Sequence, residues 1–174
     1  LGLTKEELMK RAVRIGADVP YCVLRGTALA EGIGEILTPL PGIPPCFILI
    51  AKPPVSVSTK FVYTNLKADE LRDHPDIDGQ IAAIRRGDLA GMCRCMGNVL
   101  ETVTLPAYPV IGEICGVMRS CGALNAMMSG SGPTVFGIFD DEEKAKASAE
   151  RLRMGDRARQ VFLTTAFNVS ANEL

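Results

Sequence analysis

Asp18 occupies a short connection in the segment Gly16-Ala17-Asp18-Val19-Pro20. Glycine ends helices, and proline disfavours helical backbone at the residue before it, so the pattern predicts an extended Val19 and a rigidly held Asp18. A carboxylate held in this way can act as a general base or orient a reacting group. It can equally cap a turn through its own backbone, and the local sequence alone favours that structural role.

A glycine-rich segment, Ser129-Gly130-Ser131-Gly132-Pro133, lies between two apolar runs. Glycines allow backbone N–H groups to approach an anion closely, as they do in phosphate-binding loops. The segment lacks both the Gly-Lys-Ser/Thr of a Walker loop and the GxGxxG spacing of a dinucleotide loop. Taken alone, it is interpreted as a hairpin turn, with a phosphate-side loop as the alternative.

The segment Thr59-Lys60-Phe61-Val62-Tyr63 opens a predicted helix soon after Pro53-Pro54. An aromatic ring at the end of a strand can stack on a nucleobase through its π-face. Tyr63 is equally well explained as a residue of the core or of its boundary, so both interpretations stay open.

Cysteine and charge usage exclude several classes of function. No Cys-x-x-Cys pair occurs, and the single histidine, His74, lies in a polar segment, so no metal site is predicted. Most of the cysteines lie in apolar runs, where a thiol behaves as a small hydrophobic group, and reduced structural thiols in a cytoplasmic protein are expected. The six cysteines of the chain are Cys22, Cys46, Cys93, Cys95, Cys115 and Cys121.

The net charge of −1, without a basic stripe, argues against binding to nucleic acid. No stretch reaches the roughly 18 consecutive apolar residues of a membrane helix. Neither a nucleic acid nor a membrane is therefore expected as a partner.

The elements that must position these residues follow from capping signals and apolar periodicity. Thr4 and Glu7 form a capping box for a helix that runs to about Ile15. Residues 21–38 predict two short strands joined by a turn at Gly32-Ile33-Gly34, with residues 21–24 in the first strand. A Pro-rich connector follows and is the clearest candidate for a domain boundary.

Beyond the connector, strands are predicted at 46–51, 124–128, 134–139 and 160–166. Helices are predicted from Thr59, over 77–100 with a break near Gly87, over 108–120, and from Asp140 or Asp141 to Leu152. This order indicates an α+β fold, a ferredoxin-like two-layer sandwich with helices on one face of an antiparallel sheet. Residues 1–40 and 41–174 are the predicted domains.

Three segments, taken in order, resemble the 4-diphosphocytidyl-2-C-methyl-D-erythritol kinases of the GHMP kinase superfamily. The first joins Gly16-Ala17-Asp18-Val19-Pro20 to Gly26-Thr27-Ala28-x-Ala30-x-Gly32-x-Gly34-Glu35-x-Leu37-x-Pro39-Leu40. The second runs from Ile48-Leu49-Ile50-Ala51-Lys52-Pro53 to Val57-Ser58-Thr59. The third, Met128-Ser129-Gly130-Ser131-Gly132-Pro133-Thr134-Val135-Phe136, is similar to the third GHMP signature.

The resemblance implies an enzyme that transfers the γ-phosphoryl group of ATP to a hydroxyl of a cytidine-diphosphate-linked methylerythritol in the non-mevalonate isoprenoid pathway. Asp18 matches the family's catalytic aspartate, which accepts or orients the proton of that hydroxyl. ATP should require Mg²⁺, although no magnesium ligand can be assigned in this sequence.

The resemblance also implies a set of substrate contacts. Tyr63 matches the aromatic position that stacks on cytosine, and Thr59 matches a neighbouring substrate contact. Ile33 falls where the family's Gly-rich hairpin lies against the substrate. Gly130, Ser131 and Gly132 match the signature loop that packs against the phosphate-binding region. By the same resemblance, residues 1–40 are a remnant of the N-terminal nucleotide-binding domain, and 41–174 are the C-terminal domain.

The sequence lacks features that family members carry upstream. Family members carry, before the Asp18 segment, a lysine-bearing strand and a loop of the type Pro-x-x-x-Gly-Leu-Gly-Gly-Gly-Ser-Ser, which holds the ATP phosphates. Neither motif occurs here, and the second aromatic of the cytosine site is also expected upstream. An inactive fragment is therefore expected, with self-association or disorder before Pro39 because residues 1–40 have lost partners.

Two other functions stay open at this point. The substrate can differ within the superfamily, being mevalonate, homoserine or a sugar, and the region 59–63 discriminates between these. A non-catalytic ferredoxin-like module, regulatory or metal-carrying, is a different class. A metal chaperone of that kind needs an exposed Cys-x-x-Cys, which this sequence lacks. A regulatory module does not require Asp18.

Overall fold

The computed structural model describes residues 2–168, which divide into two compact units. One unit runs up to Ile43 and takes in the chain again from Phe167, and the other is Pro44–Ala166. The division falls within the Pro-rich segment. The assignment of the first part to a nucleotide-binding domain stays a prediction.

The first unit contains two short helices and a hairpin. Its elements are α1 (Lys5–Ala12), α2 (Val19–Leu24), β1 (Thr27–Glu31) and β2 (Ile36–Leu40). The predicted capping box is confirmed, because the Thr4 side chain accepts from the Glu7 N–H and the Glu7 carboxylate accepts from the Thr4 N–H. α1 ends at Ala12, earlier than the predicted Ile15, and a turn covers residues 13–15.

The prediction of an extended Val19 and a strand over residues 21–24 is wrong. Val19 is the first residue of α2, and Pro20 lies in its first turn. A proline there costs no hydrogen bond, because the first N–H groups of a helix have no partner within it. The same proline that restricts the preceding residue can therefore open a helix, and the sequence did not distinguish the two cases.

The predicted turn at residues 32–34 connects β1 and β2, which pair antiparallel from Thr27 opposite Leu40 to Glu31 opposite Ile36. Pro39, expected in the connector, belongs to β2 and lies opposite Ala28. A two-stranded hairpin has only edge strands, which tolerate a proline because its missing N–H can face outward.

The second unit carries the remaining elements. They are β3 (Phe47–Lys52), α3 (Thr59–Asn65), a 3₁₀ turn (Ala68–Glu70), α4 (Ile77–Arg86), α5 (Leu89–Cys95), α6 (Glu101–Ala107), α7 (Pro109–Ser120), β4 (Asn125–Met128), β5 (Val135–Phe139), α8 (Glu142–Met154) and β6 (Gln160–Thr165). The break near Gly87 is confirmed, because Gly87 has φ 68° and ends α4. The helical pattern predicted to Leu100 ends at Cys95 instead.

The four strands of this unit form one antiparallel sheet in the order β4-β5-β3-β6. Together with the order β3, helices, β4, β5, α8, β6 along the chain, this topology confirms the ferredoxin-like α+β sandwich. α7 and α8 pack on the sheet and on each other. No helix among residues 2–168 has the length and apolar character needed to cross a membrane.

The core lies between the sheet and α7 and α8. Leu49 of β3, Phe139 of β5 and Met118 of α7 are fully buried there. α7 approaches β5 closely at Gly137, where an added Cβ would lie 2.9 Å from the Met118 Sδ atom. Met118 therefore fills the space that the missing side chain at position 137 leaves open.

Met118→Ala should lower the free energy of unfolding by about 2–5 kcal/mol, because it removes a fully buried side chain and leaves a cavity. Met154→Ala is the matched control, since Met154 is 87% exposed and its loss should change stability by less than about 0.5 kcal/mol. Urea denaturation of both variants measures the difference. Equal losses would contradict the packing described here.

Candidate functional site

Asp18 lies in the first unit at the N-cap position of α2, but its side chain makes no capping hydrogen bond. The carboxylate is exposed. The turn-capping role that the local sequence favours is therefore not what the side chain does.

The hairpin turn lies directly beside Asp18. Gly34 has φ 112°, and a Cβ at this position would lie 3.3 Å from the Asp18 Oδ1 atom and 3.7 Å from the Ala17 carbonyl oxygen. A side chain at residue 34 would crowd the carboxylate and would be strained by the positive φ. The structure thus brings the Asp18 carboxylate and the turn that carries Ile33 together.

Ile33 is 74% exposed at the tip of this turn. Its backbone N–H donates to the Glu35 carboxylate over 2.7 Å, which fixes the turn from within. The family resemblance predicts that Ile33 lies on a hairpin that contacts the substrate. The hairpin is present, and the contact with a substrate stays a prediction.

In the second unit, α3 and the loop of residues 129–133, here called the Gly-rich loop, are in contact. The Ser58 hydroxyl caps α3 by accepting from the Phe61 N–H over 3.3 Å. The next residue, Thr59, shares a hydrogen bond of 2.9 Å between its Oγ1 and the Ser131 Oγ. Two of the predicted site segments, 72 positions apart in the sequence, therefore meet.

Tyr63 lies one helical turn beyond Thr59, and residues spaced by four share one face of a helix. Tyr63 is 61% exposed, whereas Val62 is fully buried and fixes α3 to the core. The interpretation of Tyr63 as a core residue is therefore wrong. Its side chain is exposed on the face of α3 that also carries Thr59, the residue bonded to Ser131 of the Gly-rich loop.

The Gly-rich loop needs glycine at Gly130 and Gly132. Gly130 has φ 56° and Gly132 has φ 90°, both in the region that L-residues rarely adopt. The loop is closed by hydrogen bonds from the Ser129 N–H to the Thr134 carbonyl, 2.8 Å, and from the Gly132 N–H to the Ser129 carbonyl, 3.0 Å.

Sequence reasoning missed three residues that hold this loop. The Asn98 side-chain amide donates to the Met128 and Gly130 carbonyl oxygens, and the Glu101 carboxylate accepts from the Met128 N–H. The buried Thr104 hydroxyl donates to the Ser131 carbonyl over 3.4 Å. The available signal was an Asn-x-x-Glu spacing before a helix, which resembles a capping box and predicts local capping only.

Three of the six cysteines are buried in the fold. Cys46, Cys93 and Cys115 are buried, and the six thiols are all free. Burial raises the pKa of the Cys93 and Cys115 thiols to about 11, so both stay protonated near neutral pH. Within residues 2–168 no cluster of three or more His, Cys, Asp or Glu side chains could hold a metal ion.

Gly132→Ala should destabilise the protein more than Gly130→Ala does. Both substitutions force a positive φ on an L-residue, at about 1–2 kcal/mol. Only at Gly132 would the new Cβ also lie 2.6 Å from the Met128 Sδ atom, whereas at Gly130 nothing lies within 4 Å. Urea denaturation compares the two variants. An equal cost at both sites would contradict this packing of the loop.

Comparisons with known proteins identify the family of this chain. Residues 80–155 match the family model described as GHMP kinases C terminal. A 4-diphosphocytidyl-2-C-methyl-D-erythritol kinase of Lachnospira eligens is 60% identical over 167 residues, which are 96% of this chain and 58% of that protein. The protein of the same name from Geobacillus kaustophilus is 49% identical over 88% of this chain and 52% of its own length. The chain thus spans little more than half the length of these curated relatives.

A solved structure of a 4-(cytidine 5'-diphospho)-2C-methyl-D-erythritol kinase superposes with a TM-score of 0.75 at 31% identity, covering 91% of this chain and 56% of that one. A homoserine kinase from Cytophaga hutchinsonii gives a TM-score of 0.76 at 18% identity over 96% of this chain and 59% of that one, which shows the shared fold alone. The chain belongs to the GHMP kinase family and contains that family's C-terminal domain.

Proposed function

We propose that the protein to which this chain belongs phosphorylates 4-diphosphocytidyl-2-C-methyl-D-erythritol with ATP, in the non-mevalonate pathway of isoprenoid synthesis. The observation that carries this proposal is the 60% identity, over 96% of the chain, to a kinase of that name. The free carboxylate of Asp18 and the exposed ring of Tyr63 support the residue roles.

Asp18 is the proposed base. As the substrate hydroxyl oxygen bonds to the γ-phosphorus and the bond from that phosphorus to its bridging oxygen breaks, the hydroxyl proton passes to the Asp18 carboxylate and then to solvent. ADP leaves with the bridging oxygen. Because phosphoryl transfer depends mainly on positioning and charge stabilisation, one oriented carboxylate suffices for the proton. Gly34 supports this role, since a side chain there would crowd the Asp18 carboxylate.

Tyr63 is the proposed stacking partner of the cytosine ring, and Thr59 a neighbouring polar contact. The exposed Tyr63 ring offers a flat apolar face. The Thr59 hydroxyl, one helical turn before it and hydrogen-bonded to Ser131, offers a polar group. Ile33, exposed on its hairpin, is the proposed apolar contact to the substrate.

The Gly-rich loop is the proposed neighbour of the nucleotide phosphates. ATP, when bound, supplies the phosphoryl group. The Ser131 N–H makes no hydrogen bond to any residue in the described part of the chain, so it is free to meet an anion. Mg²⁺ is proposed to accompany the nucleotide, and no cluster of ligands for it occurs within residues 2–168.

Three further expectations stay predictions. These are the inactivity of this chain on its own, its self-association through residues 1–40, and its cytoplasmic location. The competing functions are a GHMP kinase for mevalonate, homoserine or a sugar, and a non-catalytic ferredoxin-like module. The homoserine kinase superposition supports only the fold, whereas the relatives at 47–60% identity are each named as a 4-diphosphocytidyl-2-C-methyl-D-erythritol kinase.

Asp18→Asn should lower kcat by about 100- to 10,000-fold, because the amide cannot accept the hydroxyl proton. The assay uses the protein with any coding sequence that precedes Leu1 included, and follows ADP release. Asp156→Asn is the control, since it makes the same chemical change at an exposed site after α8. An unchanged kcat in Asp18→Asn would remove Asp18 from the reaction.

Tyr63→Ala should weaken the binding of cytidine diphosphate by about 5- to 150-fold, because base stacking on an aromatic contributes about 1–3 kcal/mol. Tyr63→Phe keeps the ring and should bind nearly as the unchanged protein does. Calorimetric titration with cytidine diphosphate measures both variants. If Tyr63→Ala binds normally, a GHMP kinase with another substrate becomes the better proposal.

A further inference from the structure

The free edge of β4 is covered by side chains. β4 pairs with β5 on one side only, and it is an outer strand of the sheet. In an antiparallel pair, every second residue directs its backbone N–H and C=O away from the partner strand. On β4 these residues are Ala126 and Met128. Unpaired groups at such an edge need water or another partner.

The outward-facing N–H and C=O of Met128 are both hydrogen-bonded by side chains from one segment of the chain. The Asn98 side-chain N–H donates to the Met128 carbonyl over 2.9 Å, and the Glu101 carboxylate accepts from the Met128 N–H over 2.7 Å. The two side chains thus take the place of a neighbouring strand at the residue that leads into the Gly-rich loop. A hydrogen bond to a charged carboxylate is stronger than one between neutral groups.

The orientation of the Asn98 amide is fixed on every side. Its Nδ2 atom uses its second N–H for the Gly130 carbonyl, 2.8 Å away, and its Oδ1 atom accepts from the Leu100 N–H over 3.0 Å. Both donors and the acceptor are therefore in use. The hydrogen bond to Gly130 matters most, because a Cβ at Gly130 would meet nothing within 4 Å and packing does not hold the loop there.

Fixing the Gly130 carbonyl also fixes the next N–H. In a trans peptide the C=O of one residue and the N–H of the following residue point in opposite directions across a rigid plane. When the Gly130 carbonyl turns toward Asn98, the Ser131 N–H turns away from it. Thr104 fixes the following peptide by donating to the Ser131 carbonyl. The Ser131 hydroxyl then meets Thr59 at the start of α3.

We propose that Asn98 and Glu101 are positioning residues, which set the Gly-rich loop so that the free Ser131 N–H is aimed at the anionic group undergoing transfer. They act through the loop and do not touch the substrate. The kinetic part of this inference rests on the function proposed above, whereas the effect on the loop itself does not.

The effect on the loop is tested by amide hydrogen exchange, resolved by residue with NMR. Asn98→Asp keeps the acceptor for the Leu100 N–H, removes both donors, and sets a carboxylate against two carbonyl oxygens. Exchange of the Ser129 and Gly132 amides, which close the loop, should become at least about 10-fold faster, the effect of a loss near 1.4 kcal/mol. Unchanged exchange at both amides would overturn the proposal.

Asn125→Asp is the matched control. The Asn125 Oδ1 atom accepts from the Ala126 N–H over 2.8 Å and its Nδ2 atom donates to the Cys93 carbonyl over 2.8 Å, so the same substitution removes a similar donor elsewhere on β4. Exchange of the Ser129 and Gly132 amides should stay within about twofold in this variant. An equal acceleration would show general loosening of the sheet and would also overturn the proposal.

Kinetics in the protein with any preceding coding sequence included test the link to the reaction. Asn98→Asp should lower kcat by about 10- to 100-fold, as misplacement of a positioned group does, while KM for the cytidine substrate changes less than about threefold. Glu101→Ala should act in the same direction, and Glu101→Gln, which keeps an acceptor, should recover most of the loss. If Asn98→Asp does not fold, the comparison of Glu101→Ala with Glu101→Gln tests the positioning role instead.

The two proposals fail in different ways. Absent turnover in the unchanged full-length protein, with faster loop exchange in Asn98→Asp, would overturn the proposed kinase function and keep the control of the loop. Normal turnover in the unchanged protein, with kcat retained in both Asn98→Asp and Glu101→Ala, would overturn the positioning role and keep the kinase function.

Discussion

The pairing of β3 on both of its edges is the constraint on which the second unit depends. β5 lies along one edge and β6 along the other, each antiparallel over nearly the whole strand. Leu49 and Ala51 are fully buried on the side that faces the helices. Pro53 is buried directly after β3, so the chain leaves the sheet in a fixed direction and reaches Ser58, which caps α3. The placement of β3 at the centre of the sheet therefore determines where Thr59 and Tyr63 lie.

Signals that act within one turn of the chain were sufficient to predict much of the fold. The capping box at Thr4, the N-cap at Asp141 and the left-handed residue at Gly87 each satisfy backbone groups next to them, and each is present. Runs of apolar residues likewise indicated the strands of the sheet. The error at α2 has the same local origin, because Pro20 is compatible with both an extended segment and the first turn of a helix.

The contacts of the candidate site were not predictable in this way. The Thr59–Ser131 hydrogen bond spans 72 positions, and the bond from Asn98 to Gly130 spans 32, so no local spacing encodes either of them. The family resemblance pointed to Asp18, Tyr63 and the Gly-rich loop as residues, without their contacts. The contact of Asn98 with the loop was not predicted, because its sequence context indicates only a local role. Its Oδ1 atom accepts from the Leu100 N–H, as the side chain of a capping residue would.

The support of the Gly-rich loop explains why this connection between β4 and β5 differs from an ordinary hairpin. A β-turn joins the C=O of its first residue to the N–H of its fourth, as Ser129 and Gly132 do here, and this bond leaves the groups of its two central residues unpaired. Here the Gly130 and Ser131 carbonyls are held by Asn98 and Thr104, both outside the loop. The Ser131 N–H, which the turn leaves unpaired, has no partner among the described residues. Two glycines at positive φ lower the stability of such a loop on their own, because glycine loses the most backbone freedom on folding. Hydrogen bonds from fixed side chains offset that loss, and they set the direction of a donor that the turn itself leaves free.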